Sequence, residues 1–90
     1  MLYKIPLVFS PQPEGGFTVT SPLLPELITE GDRFDEAMVN VRDALAAVIE
    51  AYQDSGRTLP PNTQLNDVDS AIWLETVVAA ALQPGDGLTT

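Results

Sequence analysis

One amphipathic segment constrains the fold of this chain more than any other feature. Between Gly31 and Gly56 the apolar residues recur at steps of three and four, which places them on one stripe of an α-helix. The stripe consists of Phe34, Ala37, Met38, Val41, Leu45, Val48, Ile49 and Tyr52. Asp32 is expected to cap the first turn, and Gly56 is expected to close the last turn in a left-handed conformation. A helix with one apolar face needs a surface to pack on, which the rest of the chain must supply.

The segments before the helix show the alternation that is typical of strands. Apolar residues alternate with others from Tyr3 onward, and the turn-rich sequence PQPEGG separates this run from a second one. Pro6 cannot donate a ladder hydrogen bond, so the first strand is predicted to lie at an edge of the sheet or to bulge. Pro22 and Pro25 then end the second run of alternating residues, and a short third run follows them. The predicted strands are residues 3–10, 16–20 and 26–30.

The segment after the helix is less regular. Residues 57–71 have no periodicity and are predicted to be a loop that returns along the helix. The β-branched and apolar segment Ile72–Ala79 predicts a fourth strand, although a helix through Leu82 is an alternative because of its alanine run. Residues 83–90 are predicted to be a flexible polar tail. The element order predicts one α+β domain over residues 1–82, a β-β-β-α-β two-layer fold with the helix packed on one face of an antiparallel sheet.

The charge of the chain limits its partners. Thirteen acidic residues against four basic ones give a formal net charge of −9. Such a surface repels phosphate backbones, so no nucleic-acid binding is expected. Two interpretations of the acidity remain open at this point. It either keeps the protein soluble and nothing more, or it forms a face that meets a basic protein.

The composition also argues against catalysis. The chain has no cysteine and no histidine, which excludes disulfides, thiolate metal sites, cysteine nucleophiles and serine–histidine triads. The first predicted strand has no acidic residue of the kind that a two-metal nuclease requires. We therefore predict no enzymatic activity and no cofactor. The absence of a long apolar run or a signal-peptide core predicts a cytoplasmic protein without a membrane span.

Three motifs in order then point to a known family. They are IPLVFSPQPEGGFTVT in residues 5–20, PLLP in residues 22–25, and TEGD in residues 29–32 followed by Glu36 and Ala37. Together they resemble the HicB antitoxin family, whose fold is a truncated ribonuclease-H-like β-β-β-α-β unit. Members typically bind and inhibit HicA, a small basic toxin that cleaves messenger RNA. The resemblance implies an antitoxin with a HicA-like partner.

The sequence departs from the family at identifiable positions. Glu26 and Leu27 stand where the family commonly has glycine and cysteine, and Arg33 replaces a small hydroxyl residue before the helix. Full-length antitoxins often carry a C-terminal DNA-binding module, and few residues follow the predicted fourth strand here. Operator binding is therefore not expected of this chain.

Two sets of residues are predicted to form contacts. A toxin-binding face should combine acidic residues near the helix entry with an apolar corner, namely Leu23, Leu24, Glu30, Asp32, Asp35 and Glu36. The predicted fourth strand is apolar on both faces and should mediate a homodimer or higher homo-oligomer through Ile72, Trp73, Val77 and Val78. Trp73 could be either a core residue or an interface anchor. The alternative function is that of a stand-alone self-associating domain without catalysis.

Overall fold

The computed structural model describes residues 2–65, 71–78 and 80. This part of the chain forms three strands, one long helix and a short 3₁₀ turn. They are β1 (Val8–Pro11), β2 (Phe17–Thr20), β3 (Ile28–Gly31), α1 (Phe34–Asp54) and the turn Pro61–Thr63. The predicted α+β class is confirmed.

The sheet is antiparallel, with the order β1-β2-β3. Val19 at its centre pairs with Phe9 on one side and with Thr29 on the other. Among the described residues β1 is therefore an edge strand, which is one of the two arrangements that Pro6 predicted. The ladder starts only at Val8, after this proline, and Tyr3 instead forms an isolated antiparallel bridge with Gln64.

The prediction for the C-terminal end of the helix is confirmed, and the prediction for the N-terminal end is not. The N-cap is Arg33, in an extended conformation and without a side-chain cap bond, so the prediction of an Asp32 cap is wrong. Glu36 takes over part of this role, because its Oε1 accepts a hydrogen bond of 3.0 Å from the Asp32 N–H. At the other end Gly56 has a φ of 72°, as predicted. The Arg57 N–H donates to the Tyr52 carbonyl at 2.9 Å, which completes a Schellman motif.

The apolar stripe of α1 packs on β2 and β3 in two clusters. The cluster toward the helix C-terminus contains Leu24, Leu27, Val48 and Tyr52. The cluster toward the helix N-terminus contains Val19, Ala37 and Val41. The remaining members of the predicted stripe are half-buried. The helix lies mainly over β2 and β3, and Phe9 of β1 packs against the cluster at the helix N-terminus.

The segment after the helix returns to the start of the chain. The Lys4 N–H donates to the Thr63 carbonyl at 2.8 Å, and the Leu65 N–H donates to the Leu2 carbonyl at 3.0 Å. Residues 71–78 are neither strand nor helix, so the predicted fourth strand is not seen in the described part of the chain. Ala79 and the predicted tail, residues 83–90, lie outside the described residues. No helix within the described ranges is long and apolar enough to cross a membrane.

Candidate functional site

An open acidic concavity of about 330 Å³ lies beside the N-terminal end of α1. Its walls come from the β1–β2 hairpin, the end of β3 and the first turns of α1. Four acidic side chains line it, and none of its described lining residues is basic. The acidic residues are Glu14, Glu30, Asp32 and Glu36, and we call the opening that they line the acidic concavity.

The hairpin forms one wall because its two glycines adopt conformations that other residues avoid. Gly15 and Gly16 have φ values of 103° and 81°. The turn is closed by a 3.0 Å hydrogen bond from the Gln12 N–H to the Gly16 carbonyl. A Cβ on Gly16 would lie 2.8 Å from the Gly31 carbonyl oxygen, so the hairpin approaches the end of β3 backbone to backbone. This approach places Glu14 at the same opening as Glu30 and Asp32.

The end of β3 is fixed against the helix in a similar way. A Cβ on Gly31 would lie 2.5 Å from the backbone nitrogen of Ala37, so no side chain fits between strand and helix. Asn40 adds a hydrogen bond of 2.7 Å from its Nδ2 to the Glu30 carbonyl. Glu30 and Glu36 are thereby held at the same concavity.

Three aromatic rings anchor the first turn of α1 on the sheet. The Phe34 ring lies 4.8 Å from the Phe9 ring and 6.5 Å from the Phe17 ring, measured between centroids. Phe9 and Phe17 lie 5.9 Å apart in an edge-to-face arrangement. Such pairs add about 0.5–1.5 kcal/mol beyond burial. The helix start, and with it Glu36, therefore has a defined position over β1 and β2.

The structure brings together three of the four acids predicted for the toxin-binding face. Glu30, Asp32 and Glu36 share the acidic concavity, whereas Asp35 does not line it. Asp35 instead lies 3.4 Å from the Arg33 side chain, with both side chains largely exposed. An exposed pair of this kind contributes little to stability, roughly 0–1 kcal/mol.

The predicted apolar corner lies at the other end of the helix. Leu24 is fully buried against Val48 and Tyr52, and Leu23 is half-buried. The Ser21 hydroxyl accepts hydrogen bonds of 3.3 Å from the backbone of both leucines, which turns the chain so that Leu24 enters the core. Glu36 and Tyr52 are separated by about 24 Å along the helix axis. The corner and the acids therefore do not form the single face that we predicted, and Leu24 is a core residue.

A small polar cluster holds this corner to the helix C-terminus. The Tyr52 hydroxyl donates to Glu26 Oε1 at 2.9 Å, and Arg57 Nη1 donates to Glu26 Oε2 at 3.2 Å. The Arg57 guanidinium also lies 4.1 Å from the centroid of the Tyr52 ring. Hydrogen bonds from its own backbone and from Tyr52, with help from Arg57, hold the pKa of Glu26 below its ordinary value against the opposing effect of burial. The hydrogen bond to Glu26 and burial raise the pKa of Tyr52.

The residues predicted for self-association are all exposed. Ile72, Trp73, Val77 and Val78 have relative exposures of 41%, 83%, 66% and 71%, and Leu74 between them is 68% exposed. Trp73 is thus not a core residue, which answers the question that the sequence left open. We call these five residues the apolar strip. It is tied to the N-terminal segment by a 2.8 Å hydrogen bond from Lys4 Nζ to the Trp73 carbonyl.

A groove of about 460 Å³ separates the apolar strip from the β1 side of the sheet. It is lined largely by apolar side chains. They include Ile5, Leu7, Phe9, Phe34, Met38 and Val77. Among the described residues, no group of three or more acidic, histidine or cysteine side chains is arranged to hold a metal ion.

The sequence reasoning missed Glu14 and Leu74. Glu14 could have been found from the strand register, because Phe17 pairs with both Pro11 and Gly31 and so places the hairpin next to the end of β3. Leu74 could have been found from the sequence, because it is a large apolar residue in the same apolar segment as Ile72, Trp73 and Val77.

Comparisons with known proteins find a matching family and curated relatives. The sequence profile of the family described as HicB-like antitoxin of bacterial toxin–antitoxin systems matches residues 3–82. The Antitoxin HicB of Escherichia coli K12 is 32% identical over 77 residues, which cover 86% of this chain and 56% of that protein. Antitoxin HicB 1 of Photorhabdus laumondii is 35% identical over 57 residues, 63% of this chain and 37% of that protein. The chain thus spans about half the length of these curated relatives or less.

Proposed function

The chain belongs to the HicB-like antitoxin family of bacterial toxin–antitoxin systems, and we propose that it neutralises a small basic HicA-like toxin by binding it at the acidic concavity. The observation that carries this proposal is the grouping of Glu14, Glu30, Asp32 and Glu36 around one opening. These acids come from three separate segments of the chain. Their convergence gives a basic surface a defined place to dock.

Charge supports the proposal at two distances. At long range, a chain with a net charge of −9 attracts a basic protein, which raises the association rate in a manner that falls with salt. At short range, the concavity has room for the head of an arginine or lysine side chain. Hydrogen bonds between such a head and carboxylates are about twice as strong as those between neutral groups.

The concave shape also matters. An acid on a flat surface gains roughly 0–1 kcal/mol from an ion pair, because water screens the charges. A basic side chain that enters an opening of about 330 Å³ loses part of its hydration, so water screens its ion pairs with the carboxylates less. A partner without a basic side chain at that position would leave the carboxylates unpaired, and its affinity would be lower. The concavity is thus suited to select a basic side chain in a particular position.

The proposal assigns the chain a binding role without catalysis. The chain inhibits the toxin by covering it, and this requires no chemical reaction at the carboxylates of the chain. The same acidity disfavours a phosphate backbone, so we expect the domain itself to bind protein rather than DNA. Because messenger RNA is the target of HicA-like toxins, we expect the protein to act in the cytoplasm.

The experiment measures association of the chain with its cognate HicA-like toxin and rescue of growth in cells that express the toxin. A triple variant, Glu14→Gln, Asp32→Asn and Glu36→Gln, removes three charges from the concavity. We expect it to slow association about tenfold at low salt and to weaken rescue. Glutamine at position 36 retains an oxygen that can accept the hydrogen bond from the Asp32 N–H.

A matched control separates the concavity from the overall charge. The variant Asp43→Asn, Glu50→Gln and Asp54→Asn removes the same number of charges from exposed positions farther along α1. We expect this control to slow association much less. Equal slowing in both variants would reject the concavity as the binding site. A toxin that stays lethal while the wild-type protein is present, folded and soluble would reject the antitoxin function itself.

A further inference from the structure

Two side chains of α1 hold the backbone where β3 ends. Glu36 Oε1 accepts a hydrogen bond of 3.0 Å from the Asp32 N–H. Asn40 Nδ2 donates a hydrogen bond of 2.7 Å to the Glu30 carbonyl. Glu36 and Asn40 are four positions apart, so they lie on the same face of the helix. One bond thus lies on each side of Gly31, and we call these two bonds the β3 clasp.

The β3 clasp acts on a short stretch of backbone between the sheet and the helix. The pairing of β2 with β3 ends at Gly31, opposite Phe17. The N-cap of α1, Arg33, makes no side-chain cap bond within the described part of the chain. The backbone that carries two acids of the concavity, Glu30 and Asp32, is therefore held to the helix by the two bonds of the clasp.

Asn40 suits a site for a positive charge because it donates a hydrogen bond without carrying a charge. A lysine or arginine donor at this position would neutralise part of the acidity of the concavity, which Asn40 itself lines. We propose that Asn40 is a positioning residue of the toxin site. Through the backbone of Glu30 it keeps the acidic side chains in place for the toxin, and it thereby prolongs the lifetime of the complex. This inference rests on the function proposed above.

Asn40 is an unfavourable choice for the helix alone. It lies in the second turn of α1, a helix of 21 residues. Asparagine is less favourable than alanine in a helix interior, because its side chain competes for backbone hydrogen bonds in other conformations. A residue that departs from the local preference while it supports a binding site is typical of a functional position.

The charge of the acids and their position should act on different steps of binding. Attraction between an acidic chain and a basic toxin acts before contact, so it governs the association rate. Acids that are already in place at contact lose less conformational freedom on binding, and this strengthens the complex. Affinity differences between closely related complexes arise mainly in the dissociation rate. We therefore expect substitutions of Asn40 to act on dissociation.

The test measures both rate constants with the cognate HicA-like toxin by surface plasmon resonance. Asn40→Asp keeps the size of the side chain, removes the amide donor and adds a negative charge. We expect dissociation to become about fivefold faster, as for the loss of one hydrogen bond, and association to be no slower than in the wild type. The faster dissociation should persist at high salt, because salt screens charge and not position. A role of charge alone predicts faster association and no faster dissociation.

Asn40→Ala separates positioning from a contribution to stability. It removes the donor without a change in charge, and alanine is the better helix former. We expect a urea midpoint close to that of the wild type, together with the same roughly fivefold faster dissociation. In the free protein, ¹⁵N relaxation should show greater motion of the Asp32 N–H, which belongs to the other bond of the β3 clasp. A purely structural role predicts a lower midpoint and unchanged dissociation.

The matched control is Gln53→Glu, which makes the same change from amide to carboxylate at an exposed position near the end of α1. It should dissociate at the wild-type rate. Wild-type dissociation of both Asn40 variants, or equally fast dissociation of Gln53→Glu, would overturn the positioning role and leave the proposed function intact. A folded wild-type chain that does not bind the toxin would overturn the proposed function, and this inference with it.

Discussion

The two ends of α1 are held to the sheet in different ways. At the C-terminal end, the large side chains of Leu24 and Leu27 pack against Val48 and Tyr52. At the N-terminal end, small residues such as Gly31 and Ala37 bring backbone against backbone. The first end stabilises the fold by burial, and the second fixes the position of the acids around the concavity.

This difference has an energetic consequence. Burying one leucine side chain stabilises a fold by about 1.5–3 kcal/mol. The buried cluster at the N-terminal end consists of Val19, Ala37 and Val41 and contains no leucine. Four acidic side chains gather at this end and repel one another. Local departures from an optimal arrangement are typical of functional sites, and a basic partner would relieve this repulsion. Substitutions at the C-terminal end should therefore act mainly on stability, and substitutions at the N-terminal end should act on binding as well.

The largest effect is expected at the buried corner. Leu24→Ala should lower the free energy of unfolding by about 3 kcal/mol, because Leu24 is fully buried and its removal leaves a cavity. Urea unfolding measures the change. Leu23→Ala next to it is the control, and it should cost less than half as much because Leu23 is only half-buried. Similar losses for the two variants would show that the corner is not packed as described.

A smaller effect is expected where strand and helix meet. Gly31→Ala introduces a Cβ that would lie 2.5 Å from the Ala37 nitrogen, so the helix start must move. We expect a loss of about 1–3 kcal/mol, as for other overpacked sites, together with weaker toxin binding.

The comparison for this variant is Gly56→Ala at the opposite end of the helix. A Cβ there meets nothing within 4 Å, and only the φ of 72° opposes it. It should cost about 1 kcal/mol and leave toxin binding unchanged. If Gly31→Ala were tolerated without loss of stability or binding, the close approach would not hold the concavity in place.

Much of this arrangement was predictable from local patterns. The stripe of α1, the hairpin at PQPEGG and the left-handed Gly56 all follow from periodicity and turn chemistry, and the structure confirms them. Within the described residues β1 also lies at an edge of the sheet, as one of the two arrangements predicted from Pro6. The grouping of Glu30, Asp32 and Glu36 was also predicted, because these residues are close in sequence. Glu14 was missed because its position depends on the pairing of β2 with β3.

Other predictions failed where tertiary contacts decide. Asp32 was expected to cap the helix, but the helix starts later, and Glu36 bonds back to the backbone of Asp32 instead. The proline corner was expected to expose Leu23 or Leu24, and sequence alone could not show that Ser21 turns Leu24 inward. The predicted fourth strand is not seen in residues 71–78, since β-propensity alone does not provide a pairing partner.

Glu26 illustrates how a departure from the family pattern can be accommodated. This residue and Leu27 stand where the family that the sequence resembles commonly has glycine and cysteine. Leu27 is buried in the cluster at the helix C-terminus, and Glu26 accepts hydrogen bonds from Tyr52 and Arg57. The two substitutions thus add an apolar contact and a polar one at the end of the molecule that supplies stability.

The smallest effect is expected from this polar contact, and it should depend on pH. The pKa of Glu26 is lowered in the folded state from an ordinary value of 4.5, so its ionised form stabilises the fold. That contribution is complete above about pH 4.5 and is lost as the pH falls through the lowered pKa of the folded state. Removing the Tyr52 hydroxyl removes one of the hydrogen bonds that lower this pKa.

We therefore expect Tyr52→Phe to destabilise the protein slightly near neutral pH and less in acid, so that the unfolding curves of variant and wild type converge as the pH falls. Tyr3→Phe is the matched control, because Tyr3 is 39% exposed in the N-terminal segment, and its difference from wild type should not vary with pH. Urea unfolding between neutral pH and about pH 3 measures both differences. A gap between Tyr52→Phe and wild type that widens in acid would show that Tyr52 stabilises the neutral form of Glu26 instead. The contact would then not contribute to the stability of the C-terminal end at neutral pH.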